Sequence, residues 1–180
     1  DQISLRVAPG EKVALVGPNG SGKSTLLLHL NGVLRSPTGT ITVAGLAVND
    51  RNLGPIRASV GLVFQNPDDQ LFSPQVYGDV AFGPLHMGLP EGEVRERVQR
   101  ALAAVGIADF AERFSHHLSV GEKKRVALAT VLSMEPQILA LDEPSAGLDP
   151  RGRRELIALL RTLDQTMLIS THDMRLAYDL

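Results

Sequence analysis

Cysteine is absent from the 180 residues, so disulfides and cysteine-ligated metal centres are excluded; a reducing compartment is compatible with that absence. A charge excess of either sign is missing too. Eighteen Lys and Arg against twenty Asp and Glu leave a net charge of -2, without the basic footprint of a protein whose main partner is nucleic acid. Lys123-Lys124-Arg125 is a local basic cluster that does not change this balance. No apolar run approaches the length that spans a bilayer, and no charged-then-apolar leader opens at Asp1, so a membrane role is expected to come through a partner. Internal repeats, low-complexity tracts and long linkers are lacking as well. With 43% hydrophobic and 21% charged residues, the composition predicts one globular domain with a real core.

Against these absences stands a nine-residue run, Gly17-Pro18-Asn19-Gly20-Ser21-Gly22-Lys23-Ser24-Thr25. Its glycines let successive backbone N–H groups converge on phosphate oxygens where a Cβ would clash. Lys23 is placed to reach the β- and γ-phosphates, and Ser24 offers a hydroxyl to Mg²⁺. Lys12-Val13-Ala14-Leu15-Val16 reads as a short buried strand ahead of the loop. Thr25–Leu30 reads as the helix behind it, with Asn31-Gly32 as its stop. A glycine turn that binds nothing is the alternative, and the length and flanks of the pattern argue against it.

The remaining periodicities predict an α/β fold. Val60–Phe64, Ile138–Leu141 and Met167–Ser170 are short apolar runs ending in polar residues, as parallel strands covered on both faces do. Ile3–Val7 alternates like a half-exposed strand, and the Ser36–Gly39 turn leads into Thr40–Val43; together they predict a small antiparallel layer. Between Val60–Phe64 and Ile138–Leu141 the character turns helical. Val94, Val98, Ala101, Leu102 and Val105 recur at helical spacing between Gly88-Leu89-Pro90 and Gly106, and Val120–Leu132 reads as a largely buried helix. A further helix is expected from Pro150 through Leu160.

Asp142 and Glu143 fall at the tip of an apolar strand, where even one carboxylate is costly to desolvate without a purpose. Asp142 suits Mg²⁺ and its waters, and Glu143 suits a base or polariser for the water that attacks a γ-phosphate. Ser119-x-x-Glu122 has the spacing of a helix capping box, and a capped helix N-terminus is also an anion site.

With Gln65 after a strand, Leu118-Ser119-Val120-Gly121-Glu122 opening a helix, Ser145-Ala146-Gly147-Leu148-Asp149 after the carboxylates and His172 after the last strand, the ordered set resembles the nucleotide-binding subunit of an ATP-binding cassette (ABC) transporter. The resemblance implies a P-loop NTPase parallel sheet flanked by helices, with the antiparallel layer and an inserted helical subdomain at about residues 67–135 of a domain spanning 1–180. It implies ATP and Mg²⁺ as ligands, with Ser24, Gln65 and Asp142 toward the metal. Glu143, His172, Gln65 and Lys23 become the catalytic set. Ser119, Gly121 and Glu122 would close over the γ-phosphate of ATP held by an opposite subunit, and Asp149 would lie at the contact between subunits. Val120 and Glu122 depart from the family's usual Leu-Ser-Gly-Gly-Gln. The implied partners are a second ATPase subunit, identical or different, and a transmembrane subunit at the cytoplasmic face of a membrane; nucleic acid is not implied. His29, His86, His116 and His117 match no motif and read as structural.

Phe64–Phe72 and Val76–Pro84 look most like the ATPases of energy-coupling-factor and cobalt/nickel importers. Leu71, Phe72 and Phe82 either form an apolar groove for a helix of the membrane partner or belong to the core. The aromatic that stacks on adenine in the family lies ahead of the first strand, and Tyr77 and Tyr178 are poorly placed substitutes. Family strands that follow the histidine have no counterpart before Leu180, so the resemblance implies a chain trimmed at both ends, poorly soluble and feeble in ATP affinity. Alternatives are a soluble ABC-type ATPase in DNA repair or translation, a small-molecule kinase and a regulatory nucleotide-binding module. Long coiled coils and a second cassette are missing for the first, and an arginine-bearing lid is needed for the second.

Overall fold

The computed structural model describes residues 3–180. Four parallel strands, β1 (Lys12–Val16), β4 (Val60–Val63), β5 (Ile138–Asp142) and β6 (Thr166–Thr171), form one sheet in the order β1-β6-β5-β4. β2 (Thr42–Val43) and β3 (Leu46–Ala47) make an antiparallel hairpin whose turn puts Ala44 and Gly45 at positive φ. Helices α1 (Lys23–Leu30), α2 (Leu53–Ser59), α3 (Val76–His86), α4 (Glu91–Ala104), α5 (Val120–Leu132), α6 (Pro150–Thr162) and α7 (Met174–Asp179) complete the chain.

The alternation of the central strands divides the interior into two cores. Leu139, Leu141, Met167 and Ile169 face α3 to α7, while Ala140 and Leu168 face Leu27 of α1 and Ile56 of α2. A strand buried on both faces needs apolar residues, and β4 and β5 have them almost throughout, as β6 does over Met167–Ile169 before its buried Ser170 and Thr171. No described helix is long and apolar enough to cross a membrane.

The expected strands form with ends shifted by a residue or two, except one. Ile3–Val7 has no regular structure, and Ile3 is 69% exposed. Its alternation is that of a strand, but a strand needs a partner; the described residues offer none, and the antiparallel layer reduces to β2 and β3. α2, α3 and α7 carry no clear helical signal in the sequence. In α3 the signal is masked by Gly78, Gly83 and Pro84.

Tertiary contacts override those breakers. Pro84 cannot donate the N–H that would bond the carbonyl of Val80, and the fully buried Ser133 hydroxyl donates to that oxygen instead, at 2.7 Å. A Cβ at Gly83 would lie 2.5 Å from Cγ of Met134, so the same contact requires glycine there. Ser133→Ala is expected to lose roughly 1–3 kcal/mol of stability by orphaning the Val80 carbonyl. Urea denaturation measures this, and an unchanged midpoint would show that the hydroxyl does not replace the missing N–H.

Candidate functional site

The strand register assembles the site. Val16 lies beside Thr171, Asp142 beside Ser170 and Val63 beside Leu141, so the residues following the four strands emerge in one row at about 4.8 Å spacing. That row carries the Gly17–Thr25 loop, His172, Glu143 and Gln65. Ligands in open α/β sheets bind outside this carboxyl edge.

The loop turns into α1 through Gly22, whose φ of 94° is a left-handed conformation that a side chain would strain. No side chain caps the N-terminus of α1. Its first N–H groups and the positive end of its dipole therefore face the loop concavity. Lys23 curls over that concavity, donating to the carbonyls of Gly17 (2.8 Å) and Pro18 (3.1 Å), with its Nζ 3.9 Å from Glu143 Oε1. Pro18, Asn19, Gly20, Ser21, Ser24 and Thr25 are exposed around it.

Glu143 is 5% exposed and adopts φ 44°, a strained conformation for a non-glycine residue costing on the order of 1 kcal/mol. Its N–H is fixed by the carbonyl (3.0 Å) and hydroxyl (3.1 Å) of Ser170. The same hydroxyl donates to Oδ1 of Asp142, so one serine orients both carboxylate residues. Oε2 of Glu143 is 2.8 Å from Nδ1 of the exposed His172 ring and accepts the His172 N–H at 3.3 Å. Oε1 is buried and has no hydrogen-bond partner. A carboxylate with one oxygen fixed and the other free beside a lysine and an open glycine loop is equipped to orient or deprotonate a water.

Lys124 was part of a basic cluster in the sequence; in the fold it is a tether. Its Nζ donates to the carbonyls of Gln65 (3.1 Å) and Glu143 (3.3 Å), joining the exposed Gln65 segment to the carboxylate strand end. Burial pushes the Lys124 ammonium below its ordinary pKa, against the opposing charges of Glu143 and Asp142. Asp173 is a second unanticipated member. It caps α7 through the N–H groups of Arg175 and Leu176, accepts from Ser145 at 3.2 Å and pairs with Arg153 at 3.1 Å. Burial would raise its carboxyl, but those hydrogen bonds and the Arg153 charge outweigh it and hold the pKa below the usual value. Only polar residues next to a motif could have signalled either role.

The Ser119 segment stands apart from the row. Ser119 caps α5, and Glu122 turns back to accept from the Ser119 N–H (2.8 Å) and hydroxyl (2.7 Å), completing the capping box. Val120 beside it is exposed. Gly121 packs near Leu148, and Gly147 near Val120, so this end of α5 adjoins the Ser145–Asp149 turn. Asp149 caps α6 by accepting from Gly152 N–H at 2.6 Å, with Pro150 in the first turn. Farther out, Phe72 (65% exposed) and Phe82 meet edge-on with centroids 4.8 Å apart, and His86 lies 3.9 Å from Phe82. Leu71 and Tyr77 pack on the core instead, and Tyr178 is fully exposed at the surface.

A glycine loop between β1 and α1, aligned with paired carboxylates on a parallel sheet, defines a P-loop nucleotide hydrolase. Residues 1–146 match the family model described as ABC transporter. The chain is 60% identical over 178 residues to a putative ABC transporter ATP-binding protein of Streptomyces coelicolor, covering 99% of this chain and 68% of that protein. It is 52% identical to the energy-coupling factor transporter ATP-binding protein EcfA of Methanocaldococcus jannaschii, covering 97% of this chain and 64% of that one. Among solved structures, CbiO1 of Clostridium perfringens, described as part of the transporter complex CbiONQ, superposes with a TM-score of 0.86 at 46% identity over 96% of this chain and 71% of that chain. The dimeric cassette MJ0796 with ADP and Pi gives a TM-score of 0.86 at 28% identity, covering 97% and 80%. The chain belongs to the ABC transporter ATP-binding family and is an ATPase domain of that family.

The hydrogen bonds from the Ser119 side chain and backbone hold the Glu122 carboxyl below its ordinary value of 4.5. A lowered folded-state pKa stabilises the fold above the unfolded value, and that contribution is lost as pH falls through the folded one. The stability advantage of the wild type over Glu122→Ala should therefore be full near neutrality and shrink as pH drops below about 4.5. Denaturation of both proteins across that range checks it, and a constant difference would rule out the capping carboxylate as its source.

Proposed function

We propose that this domain is the ATP-hydrolysing motor of a membrane importer of the energy-coupling-factor or cobalt/nickel type, carrying a metal ion or a vitamin. Two such subunits, identical or different, close face to face on ATP, at the cytoplasmic side of a membrane and docked on a transmembrane subunit. The observation that carries the reading is Glu143 Oε1, buried, unpartnered and 3.9 Å from Lys23 at the mouth of the phosphate loop. The names EcfA and CbiO among the relatives support the importer class, and the dimeric cassette supports the pairing.

In this reading the loop N–H groups and the α1 dipole bind the triphosphate, and Lys23 neutralises its β- and γ-oxygens. Ser24, Gln65 and Asp142 supply the hydroxyl, amide and carboxylate oxygens that suit Mg²⁺, which would offset phosphate charge when bound. Glu143 takes the proton of the attacking water, and His172, already hydrogen-bonded to Glu143, reaches the γ-phosphate from the other side. Ser119 and Gly121 of the opposing subunit complete the phosphate cage, with Glu122 held back by its own cap. Asp149 steadies the seam. We place the helical subdomain at about residues 67–135, since α3, α4 and α5 fall there.

The exposed Phe72–Phe82 pair, continued by exposed Leu85, is the face that receives an amphipathic helix of the transmembrane subunit. Of the alternatives, kinase chemistry leaves the Ser119 helix end without a purpose, and a soluble ATPase in DNA repair or translation leaves the exposed Phe72–Phe82 face without one.

Glu143→Gln should lower turnover about 10²–10⁴-fold while ATP binding persists. Steady-state hydrolysis and equilibrium binding read the two separately; undiminished turnover would remove Glu143 from the chemistry. Phe72→Asp should weaken co-purification of the transmembrane subunit with the full-length protein and leave ATP affinity unchanged. Intact capture would refute the docking face.

A further inference from the structure

Asp79 is a carboxylate that the nucleotide site does not use, and it is 2% exposed. Its Oδ1 accepts the backbone N–H groups of Phe72 (2.9 Å) and Ser73 (2.8 Å). Its Oδ2 accepts the hydroxyl of buried Ser115 at 2.8 Å. Burying a carboxylate is expensive unless such bonds offset the lost water, and all three come from two segments distant in sequence. One segment displays Phe72. The other passes through a short 3-10 turn and the buried Leu118 directly into Ser119, the cap of α5.

Backbone bonds lace the same two segments together. Ser115 N–H donates to Pro74 (3.0 Å), Val76 N–H to Arg113 (3.0 Å) and Tyr77 N–H to Ala111 (2.8 Å). Elsewhere Gln70 reaches the Ala127 carbonyl and Thr130 hydroxyl, and Lys123 pairs with Asp68 at 2.6 Å. Gln70 grips the body of α5 and Asp68 its first turn, while the Asp79–Ser115 bond reaches the 3-10 turn that leads into the Ser119 cap.

We propose that Asp79 is a positioning residue that couples the Phe72 face to the Ser119 end of α5. A helix pressing on Phe72 shifts Ser119 through the Asp79 carboxylate, and closure of Ser119 on a triphosphate is felt in reverse at Phe72, as reciprocal coupling requires. This rests on the nucleotide and docking readings above and goes beyond them in naming the linkage.

These 180 residues contain no tryptophan, so Phe72→Trp installs a local emitter, with any tryptophan elsewhere in the full-length protein replaced by phenylalanine. The reporter is placed in the full-length protein carrying Glu143→Gln, and Mg-ATP is titrated. Emission from position 72 is expected to shift on saturation. Asp79→Ala and Ser115→Ala should each shrink that shift about fivefold or more with the half-saturating ATP concentration nearly unchanged. Asp79→Asn, which keeps an oxygen for the two N–H groups and an amide for Ser115, should restore it. Ser115→Ala removes a single hydroxyl and carries the test if Asp79→Ala does not fold. A full-sized shift in the alanine variants, or none in the reporter, overturns the coupling while ATP binding by equilibrium dialysis leaves the nucleotide reading standing. Absence of ATP binding overturns both.

Discussion

The register of four parallel strands is the constraint on which the rest of the structure depends. Backbone pairing of β1, β6, β5 and β4 aligns Val16, Thr171, Asp142 and Val63 at one edge; Glu143, His172 and Gln65 follow within two residues, and the glycine loop that carries Lys23 begins at the next one. A slip of one residue in the β1–β6 or β6–β5 pairing would turn side chains to the opposite face and separate the glycine loop from Glu143, and a slip of β4 would displace Gln65. The two cores on either side hold this register in place, since alternate residues of β5 and β6 are fixed in different clusters.

At that edge the chain accepts local costs. Glu143 takes a left-handed backbone and a buried carboxylate, held by Ser170, His172 and the Lys124 tether. Strain and an unpartnered oxygen beside a phosphate loop fit the proposed role of Glu143, in which the reorganisation is completed in folding and not repeated in each turnover. Lys124 belongs to the helix that Ser119 opens, so that helix end is tied through one side chain to the backbone of Gln65 and of Glu143.

Much of this was legible in the sequence because the relevant signals are local. The glycine loop, the apolar strands and the Ser119 capping box each depend on residues within about a dozen positions, and all appear where the spacing puts them. What escaped is non-local. α3 hides behind Pro84 because its rescue comes from Ser133, 53 positions from the Val80 carbonyl, and the tether of Lys124 and the clamp of Asp79 on Ser115 join residues 19 to 59 positions apart. Ile3–Val7 shows the converse: alternation signals a strand, but pairing is settled by what lies alongside. Leu71 and Phe72, adjacent and both apolar, divide between core and surface by which way the loop turns.

The proposed function requires a triphosphate shared between two subunits, with the loop of one facing the α5 end of the other. Light scattering on the full-length protein with a non-hydrolysable ATP analogue and Mg²⁺ tests this most directly. The account predicts a nucleotide-dependent doubling of mass, abolished by Ser119→Arg in the α5 cap. A mass that stays monomeric at saturating analogue, alone and with its transmembrane subunit, would contradict it.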